Sequence, residues 1–402
     1  MTYYGGGLKA SNHRVNDIET SPSLPLVSVI VPNYKHERYL GTRLRTIAQQ
    51  EYQRVEIILL DDASPDNSRE ILRNFASSCE KVTALQTNEA NTGLPIQQWI
   101  KGVSLAKGDY IWIAESDDEA EPEFLTELLS MFSKHPSAGF VYCDSQVIDE
   151  KGKVISRYDY NSSHYSSRQL WKNNFCVNGK DFVINYMSYR NLIPNVSAIL
   201  FKSSVLRRYL KMSSYKYCAD WELYNRILLS HDIAFSQKAM NKFRKHNQTT
   251  RWHNKKSYEM ELKEKFALLK SLKHDLALDS RAQNNIASSL GLIFENRHKH
   301  KKVEALCKSV SQLDKAQIET FYLFGANDIA ERVIDTSIAM GITPVVIDSF
   351  KAGQTCKGIK VRAFKRYDFS PSSVVVICSL SHQNAMQKLL EQHEFEGLVL
   401  RV

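Results

Sequence analysis

The stretch LVSVIVP, residues 26–32, decides the fold because it is an almost unbroken run of apolar, mostly β-branched residues. Such a run predicts a strand that is buried on both faces, as strands are in parallel sheets. Similar runs follow at VEIILL (55–60), VTALQT (82–87) and YIWIAE (110–115), with helical patterns between them. Alternating strands and helices at this spacing predict a doubly wound α/β sheet that is mostly parallel.

Sequence signals predict the positions of three helices. Ser64 and Pro65 supply an N-cap and a proline at the first helical position, and another helix is predicted from Glu121-Pro122. Further along, apolar residues recur every three or four positions, which predicts a helix that packs its apolar face on the protein. These residues are Tyr258, Leu262, Phe266, Leu269, Leu272 and Leu276.

Length favours more than one domain, because 402 residues exceed what a single core usually organises. We predict a flexible tail over residues 1–25 and the doubly wound domain over 26–255. A basic helical linker over 256–316 and a small Rossmann-like α/β domain over 317–402 complete the chain. This last region begins at FYLFGAND (321–328), which imitates a dinucleotide-binding turn.

Charge and cysteine content narrow the function classes. The net charge of +9 is concentrated between Asn241 and Lys315, which hold 17 Lys+Arg against 8 Asp+Glu. Such a segment attracts phosphates, anionic lipid headgroups or nucleic acid, or it is simply a solvated helical surface. Seven cysteines without a Cys-x-x-Cys pair argue against a disulfide framework and predict a reducing cytosol. Without a signal peptide or a long apolar run, we expect a cytoplasmic protein.

Acidic and polar residues follow three of the predicted strands at the point where each strand ends. They are Pro32-Asn33-Tyr34, Asp61-Asp62 and Glu115-Ser116-Asp117-Asp118. In an open α/β sheet the carboxyl ends of the strands form the ligand-binding edge. Several carboxylates stay ionised together only beside a positive charge, so the pattern predicts Mg²⁺ or Mn²⁺ bridging to a diphosphate. Taken singly, Asp118 or Glu119 can instead be a helix cap.

The order and spacing of five segments resemble the family-2 glycosyltransferases, the inverting nucleotide-sugar enzymes of GT-A fold. The resemblance covers about residues 26–250 and implies the GT-A nucleotide-sugar transferase fold for the first domain. The segments are VSVIVPNY, EIILLDDASPDNS, NTG, GDYIWIAESDDEAEPEFL and CADWELYNRIL.

The resemblance implies a role for particular residues of this chain. Pro32 and Tyr34 lie beside the nucleotide base, and Asp62 accepts a hydrogen bond from the pyrimidine ring. The Asp-x-Asp-type segment contacts the ribose region and the metal, with Asp117 and Asp118 as the preferred metal ligands. Its first acid is a glutamate here. The donor-binding residues implied in this way are Pro32, Tyr34, Asp62, Glu115, Asp117, Arg244 and His246.

The catalytic base that the resemblance implies is an acid opening a helix, here Asp220, with Glu222 as the alternative. From spacing alone, Asp220 can equally be an N-cap. Arg244 and His246 are expected to contact phosphate oxygens, unless their segment is a solvated loop.

Many family members carry Ala-Arg-Asn where this chain has Gln97-Gln98-Trp99. A basic donor contact is therefore missing here, or it comes from Lys101 or the later basic segment.

The C-terminal unit keeps only the first glycine of the dinucleotide fingerprint, in Gly325-x-Asn327-x-x-Ala330, and Asp328 puts a negative charge where a pyrophosphate would lie. We predict a degenerate module there. For the whole chain we expect a metal-dependent inverting hexosyltransferase of surface polysaccharide synthesis, such as capsule or lipopolysaccharide. Its partners are a UDP-sugar or dTDP-sugar donor and a glycan or lipid-linked glycan acceptor, with peripheral contact at the inner membrane surface.

Two other function classes remain as alternatives. One is an NAD-dependent oxidoreductase working from the C-terminal unit. The other is a non-enzymatic basic module that binds membrane or nucleic acid. Nucleic acid is not expected as a partner, because the basic stretch lacks aromatic residues spaced as stacking platforms.

Overall fold

The computed structural model describes residues 24–160, 167–246, 255–276, 279–364 and 370–402. Contacts within the chain divide it into two compact units, with the division between Ile286 and Ala287. The tail predicted over residues 1–25 lies outside the described residues up to position 23. The limits predicted for the domains therefore stay predictions.

The first unit is built around one large sheet. Its strands are β1 (Val27–Asn33), β2 (Val55–Asp61), β3 (Val82–Thr87), β4 (Tyr110–Ile113), β5 (Glu119–Ala120), β6 (Ala138–Ile148), β7 (Val154–Arg157), β8 (Phe175–Val177), β9 (Ile199–Lys202) and β10 (Asp232–Arg244). Its helices are α1 (Glu37–Ala48), α2 (Ser68–Ser78), α3 (Pro95–Leu105), α4 (Phe124–Lys134), α5 (Gly179–Phe182), α6 (Ser203–Tyr209), α7 (Ala219–Leu228) and α8 (Lys255–Asp275). Helix α9 (Ser280–Ser311) crosses the division between the units.

The main path of the sheet runs in the order β3-β2-β1-β4-β9-β6-β10-β5. Strands β3, β2, β1 and β4 are parallel, so Val27 pairs with Val55 on one side and with Tyr110 on the other. Strand β9 is antiparallel to both of its neighbours, and β6 and β10 are parallel again. The predicted α/β fold class is confirmed.

The core follows from the apolar runs, because every residue of β1 and β2 is buried. Trp112 on β4 is fully buried and stacks on Phe124 of α4, with the ring centroids 4.5 Å apart. The predicted start of α2 is wrong. The helix begins at Ser68, because Ser64 is used in the loop before it, where its Oγ accepts a hydrogen bond from the backbone N–H of Lys35.

Helix α8 packs most of the predicted apolar stripe into the protein. Leu262, Leu269, Leu272 and Leu276 are buried, whereas Phe266 is 37% exposed. Within the described ranges, none of the helices combines the length and the apolar character needed to cross a membrane.

The second unit contains a smaller parallel sheet in the order β12-β11-β15-β16. The strands of this sheet are β11 (Phe321–Phe324), β12 (Val345–Ile347), β15 (Val374–Ile377) and β16 (Leu398–Arg401). Strands β13 (Thr355–Cys356) and β14 (Ile359–Lys360) form a separate antiparallel pair. Helix α10 (Asp328–Ala339) follows β11, and α11 (Gln383–Gln392) follows β15. A C-terminal α/β domain is therefore present, as predicted.

Candidate functional site

The carboxyl ends of β1, β2 and β4 meet at one edge of the sheet. Asn33 at the end of β1 pairs with Asp61 at the end of β2, and Ile30 pairs with Ile113 at the end of β4. Lys35 follows the polar segment at the end of β1, and Ala63 follows the acidic pair at the end of β2. Both residues turn the chain through the left-handed region, each with a φ of 60°. Non-glycine residues rarely adopt this conformation, and where they do they often lie at binding sites.

Asp62 is buried at this edge and is held by the loop after β3 and the start of α3. Its carboxylate accepts hydrogen bonds from the backbone N–H and the hydroxyl of Thr92, at 3.1 and 2.7 Å. Asn88 and Gln98 donate side-chain bonds of 2.7 and 2.9 Å. Lys101 in turn donates to Asn88 at 2.7 Å. Gln98, which departs from the family pattern, therefore helps to orient the acid predicted to bind the base.

Glu115 is paired with the other unusual residue of that segment, Trp99. The indole Nε1 donates a 2.8 Å hydrogen bond to Oε1 of Glu115, and the backbone N–H of Glu115 donates to Oγ of Ser197 at 3.1 Å. Burial, and next the neighbouring Asp117, raise the pKa of Glu115 to about 8. Such a carboxyl holds its proton at neutral pH unless a cation arrives nearby.

Asp117 lies in a group of three possible metal ligands with His36 and His246, whose ligand atoms are all within 4.8 Å of one another. Nε2 of His246 is 3.0 Å from Oδ2 of Asp117, and Nδ1 of His36 is 2.8 Å from Oγ of Ser116. Burial opposes ionisation of Asp117, but His36 and His246 outweigh it and hold the pKa of this carboxyl below its ordinary value. Two imidazoles and a carboxylate form a mixed nitrogen and oxygen donor set.

Asp118, the second predicted metal ligand, is buried and turned toward protein donors. Oδ1 accepts a 3.0 Å bond from the backbone N–H of Arg244, and Oδ2 accepts a bond from the side-chain amide of Asn195. Burial and the neighbouring Asp117 raise its pKa to about 7. The structure therefore groups Asp117 with two imidazoles rather than with Asp118.

Beneath these acids lies a buried cation that the sequence analysis did not single out, Arg43 of α1. It is fully buried, and its guanidinium carbon lies 4.7 Å from the centroid of the Trp112 ring. Within the described part of the chain, none of its three side-chain nitrogens has a hydrogen-bond partner. Burial lowers the pKa of Arg43 to about 10, against the stabilising field of the acids around Asp118 and Asp117. Arg43 thus supplies a fixed positive charge behind the rim.

Arg244, for which the resemblance implied a diphosphate contact, has protein partners on three of its side-chain nitrogens. Its Nε and one terminal nitrogen donate to the backbone carbonyls of Asp117 and Asp149, at 2.7 and 2.8 Å, and the other terminal nitrogen pairs with Glu119. The side chain is 4% exposed and lies over the ring of Tyr39. Arg244 therefore holds the loop that carries Asp117 in position through these bonds. Of the segment Lys242–Arg251, residues 247–251 lie outside the described residues.

Asp220 lies in the first turn of α7 and is partly exposed. The N-cap of this helix is Cys218, so Asp220 does not occupy the capping position. Its Oδ1 accepts a 2.7 Å bond from the backbone N–H of Trp221, and its Oδ2 accepts a 3.3 Å bond from Asn191. The alternative acid, Glu222, is bonded to Ser213 and Arg226, each at 2.6 Å.

The two residues predicted beside the base lie on the same rim as Asp62. Pro32 is buried in β1 opposite Leu60, and Tyr34 follows the strand with 36% of its surface exposed.

One loop runs between the acidic rim and α7, because Asn191 bonds Asp220 and Asn195 bonds Asp118. His36 and Trp99 are site residues that sequence reasoning missed. The sequence signal for His36 is its proximity to Tyr34, and Trp99 was singled out only as part of the altered Gln97-Gln98-Trp99 segment, without a role of its own.

The turn of the second unit that imitates a dinucleotide site is closed by its own side chains. Asn327 accepts bonds of 3.0 and 3.1 Å from the backbone N–H groups of Ile329 and Ala330, the groups that would face a pyrophosphate. Asp348 accepts bonds from the backbone N–H groups of Ala326 and Phe350, at 3.0 and 2.9 Å. The N–H groups at the start of α10 and the carboxylate of Asp348, which a dinucleotide would need, are therefore both hydrogen-bonded within the second unit.

Comparison with known proteins shows what the first unit is similar to. Residues 28–190 match the family model described as glycosyl transferase family 2. An uncharacterized glycosyltransferase of Haemophilus influenzae is 26% identical over 268 residues, which are 65% of this chain and 79% of that protein. The glycosyltransferase GlyG of Streptococcus pneumoniae is 31% identical over 42% of this chain, which spans about half (49%) of that relative.

A solved structure of residues 1–349 of TarS from S. aureus in complex with UDP is 16% identical to this chain. The match covers 78% of this chain and 91% of the TarS chain, with a TM-score of 0.49. The matched region of the chain, residues 28–190, holds the acidic rim from β1 to Asp118. The part of the chain that carries this rim is therefore similar to glycosyl transferase family 2.

Proposed function

We propose that this chain is an inverting glycosyltransferase that moves a sugar from a nucleoside diphosphate to an acceptor hydroxyl. The observation that carries the proposal is the convergence of Asp62, Glu115 and Asp117 at one edge of the parallel sheet, with a loop leading from this edge to Asp220. This edge is where α/β sheets bind nucleotides.

The donor base is assigned to the part of the rim that carries Pro32, Tyr34 and Asp62. Asp62 is oriented by four donor groups, which supports a role as a fixed acceptor for a pyrimidine N–H. A carboxylate accepts equally from the ring N–H that uracil and thymine share. The resemblance to the family puts UDP-sugars first and dTDP-sugars next. Glu115 lies next along the rim and is assigned to the ribose region.

A divalent ion is assigned to Asp117 with His246 and His36. When bound, such an ion neutralises charge on the leaving diphosphate. Carboxylate and imidazole donors together suit Mn²⁺ better than Mg²⁺, which prefers oxygen ligands only. Asp118 and Arg244 keep the loop that carries Asp117 in place. Their roles are therefore to position the ligand rather than to contact the donor.

Asp220 is assigned as the general base. Its carboxylate takes the proton from the acceptor hydroxyl as that oxygen forms a bond to the anomeric carbon, and the bond from this carbon to the diphosphate oxygen breaks. Because the nucleophile enters opposite the leaving group, the anomeric configuration inverts. We assign a glycan or lipid-linked glycan of surface polysaccharide synthesis as the acceptor, met at the cytoplasmic face of the membrane.

The test is a thermal-shift panel of UDP, dTDP, GDP, CDP and NAD⁺, each with and without Mn²⁺, on the wild type and on Asp117→Ala. A ligand that binds only the folded state raises its stability, by about 2.7 kcal/mol at a hundredfold excess over Kd. Manganese-dependent stabilisation by UDP or dTDP, absent in Asp117→Ala, is the expected result. Stabilisation by NAD⁺ alone would contradict the proposal and favour the oxidoreductase.

A further inference from the structure

The segment in front of α7 is tied to α8 by a single carboxylate. Oε1 of Glu264 accepts a 2.9 Å hydrogen bond from the backbone N–H of Lys216. Its Oε2 accepts bonds of 2.6 and 3.1 Å from the backbone N–H groups of Tyr217 and Cys218. Glu264 itself is 8% exposed. Three consecutive backbone groups immediately before the helix of Asp220 are thus held by one buried side chain.

Helix α7 lacks the local cap that usually fixes a helix start. Its N-cap residue, Cys218, makes no side-chain capping bond. A helix start normally needs acceptors for its first N–H groups, and serine, threonine, asparagine or aspartate at the N-cap usually provides one. Glu264 of α8 instead accepts from the three backbone N–H groups that precede the helix. Bonds from N–H groups to a charged carboxylate are stronger than bonds between neutral groups.

We infer that Glu264 is the positioning residue for Asp220, which lies two residues after Cys218 at the start of α7. This inference rests on the proposed function, because it takes Asp220 as the base. A general base must lie within hydrogen-bond reach of the proton that it removes, and a misplacement of about 1 Å can cost about a hundredfold in rate. Glu264 fixes the position of the Asp220 carboxylate because it holds the residues directly before the start of α7.

The same helix offers a matched control in Glu261, which lies one turn earlier and is 5% exposed. Its carboxylate pairs with Nζ of Lys265 at 2.7 Å, within α8. Glu261 therefore has the same residue type, a similar burial and the same helix as Glu264, but its ion pair is with a residue of α8 and not with the segment before α7. If activity were lost only because a buried charge is removed from α8, Glu264→Gln and Glu261→Gln should lose it to the same extent.

The first experiment is hydrogen exchange on the full chain, comparing wild type, Glu264→Gln and Glu261→Gln. We expect the amides of Lys216, Tyr217 and Cys218 to exchange at least about tenfold faster in Glu264→Gln, because the charged acceptor is lost. Glu261→Gln should leave them at the wild-type rate. Equal exchange at these amides in wild type and Glu264→Gln would overturn the inference.

The second experiment measures UDP released from UDP-glucose and UDP-N-acetylglucosamine in the presence of Mn²⁺. Glu264→Gln should lower kcat about 10- to 100-fold and leave KM for the donor within about twofold. The double variant with Asp220→Asn should be no slower than Asp220→Asn alone, because Glu264 acts through Asp220. Glu264→Asp, which keeps the charge on a shorter side chain, should recover part of the rate.

The outcomes separate this inference from the proposed function. Additive losses in the double variant, or equal rates in Glu264→Gln and Glu261→Gln, contradict the role of Glu264 while leaving the transferase intact. A wild type that releases no nucleoside diphosphate from these donors or from dTDP-sugars contradicts the proposed function, and the positioning role falls with it.

Discussion

Nε1 of Trp99 donates a 2.8 Å hydrogen bond to Oε1 of Glu115, joining the start of α3 to the acidic rim at the end of β4. Next to it, Gln98 donates to Asp62 at 2.9 Å. The segment in which this chain departs from the family pattern therefore supplies orienting donors to two of the acids assigned to the nucleotide. These donors orient carboxylates, whereas the arginine common in the family supplies a positive charge at this point.

Replacing Trp99 by phenylalanine should expose the energetic value of this bond. Trp99→Phe leaves the half-buried carboxyl of Glu115 without its indole donor, which should lower the free energy of unfolding by about 1–3 kcal/mol. Urea unfolding of Trp99→Phe, Glu115→Gln and the double variant checks this. We expect coupling between the two sites of about 0.5–3 kcal/mol. Strictly additive effects would show that the bond contributes nothing.

The raised pKa of Glu115 predicts a pH dependence that Glu115→Gln should remove. Its folded-state pKa is about 8 against an ordinary 4.5, so the folded protein keeps a proton that the unfolded chain releases between these values. Stability from this group therefore falls as pH rises through that window. In metal-free buffer, the stability of Glu115→Gln relative to wild type should increase from pH 4.5 to pH 8. A difference that is flat or decreasing over this range would contradict the assignment.

Arg43 should act as a counter-charge that the metal partly replaces. Arg43→Met leaves the acids of the rim uncompensated in the metal-free protein, whereas bound Mn²⁺ restores a positive charge beside them. The increase in Tm on adding Mn²⁺ should therefore be larger in Arg43→Met than in wild type. Arg45→Met, on the exposed side of the same helix, is the control and should match wild type. A smaller Mn²⁺ shift in Arg43→Met would contradict this role.

The two imidazoles beside Asp117 predict metal selectivity. His36→Ala and His246→Ala should each weaken Mn²⁺ binding at least about tenfold, as measured by the free Mn²⁺ signal in electron paramagnetic resonance. Binding of Mg²⁺, followed by calorimetry, should change less, because this ion depends on oxygen ligands. His274→Ala, whose side chain is 92% exposed, is the control. Equal losses for both ions would contradict a nitrogen-containing site.

Much of the fold was predictable because the strands are apolar runs that stand out from their surroundings. β3 spans the predicted residues 82–87, and β2 exceeds its prediction by one residue, Asp61. The start of α2 was not predictable, because Ser64 and Pro65 look like a helix start while a distant contact to Lys35 uses the hydroxyl. Local signals therefore located the elements better than their ends.

The site was predictable where it depends on strand ends and less so where it depends on contacts across the fold. Asp62 and Asp117 follow strands, so their shared edge could be inferred. Arg43 gave no signal, because a single arginine in an amphipathic helix usually faces solvent. Glu264 gave none either, since it stands between Lys263 and Lys265 and resembles the other charges of a basic helix. Only the packed structure shows which charged residues are buried.

The most direct measurement is the release of nucleoside diphosphate from a panel of UDP-, dTDP- and GDP-sugars with Mn²⁺, comparing wild type with Asp220→Asn and Glu222→Gln. We expect turnover of a UDP- or dTDP-sugar by the wild type and a loss of about 10²- to 10⁴-fold in Asp220→Asn. Glu222→Gln should lose far less. Undiminished turnover in Asp220→Asn, or no turnover of any donor by the wild type, would contradict the account.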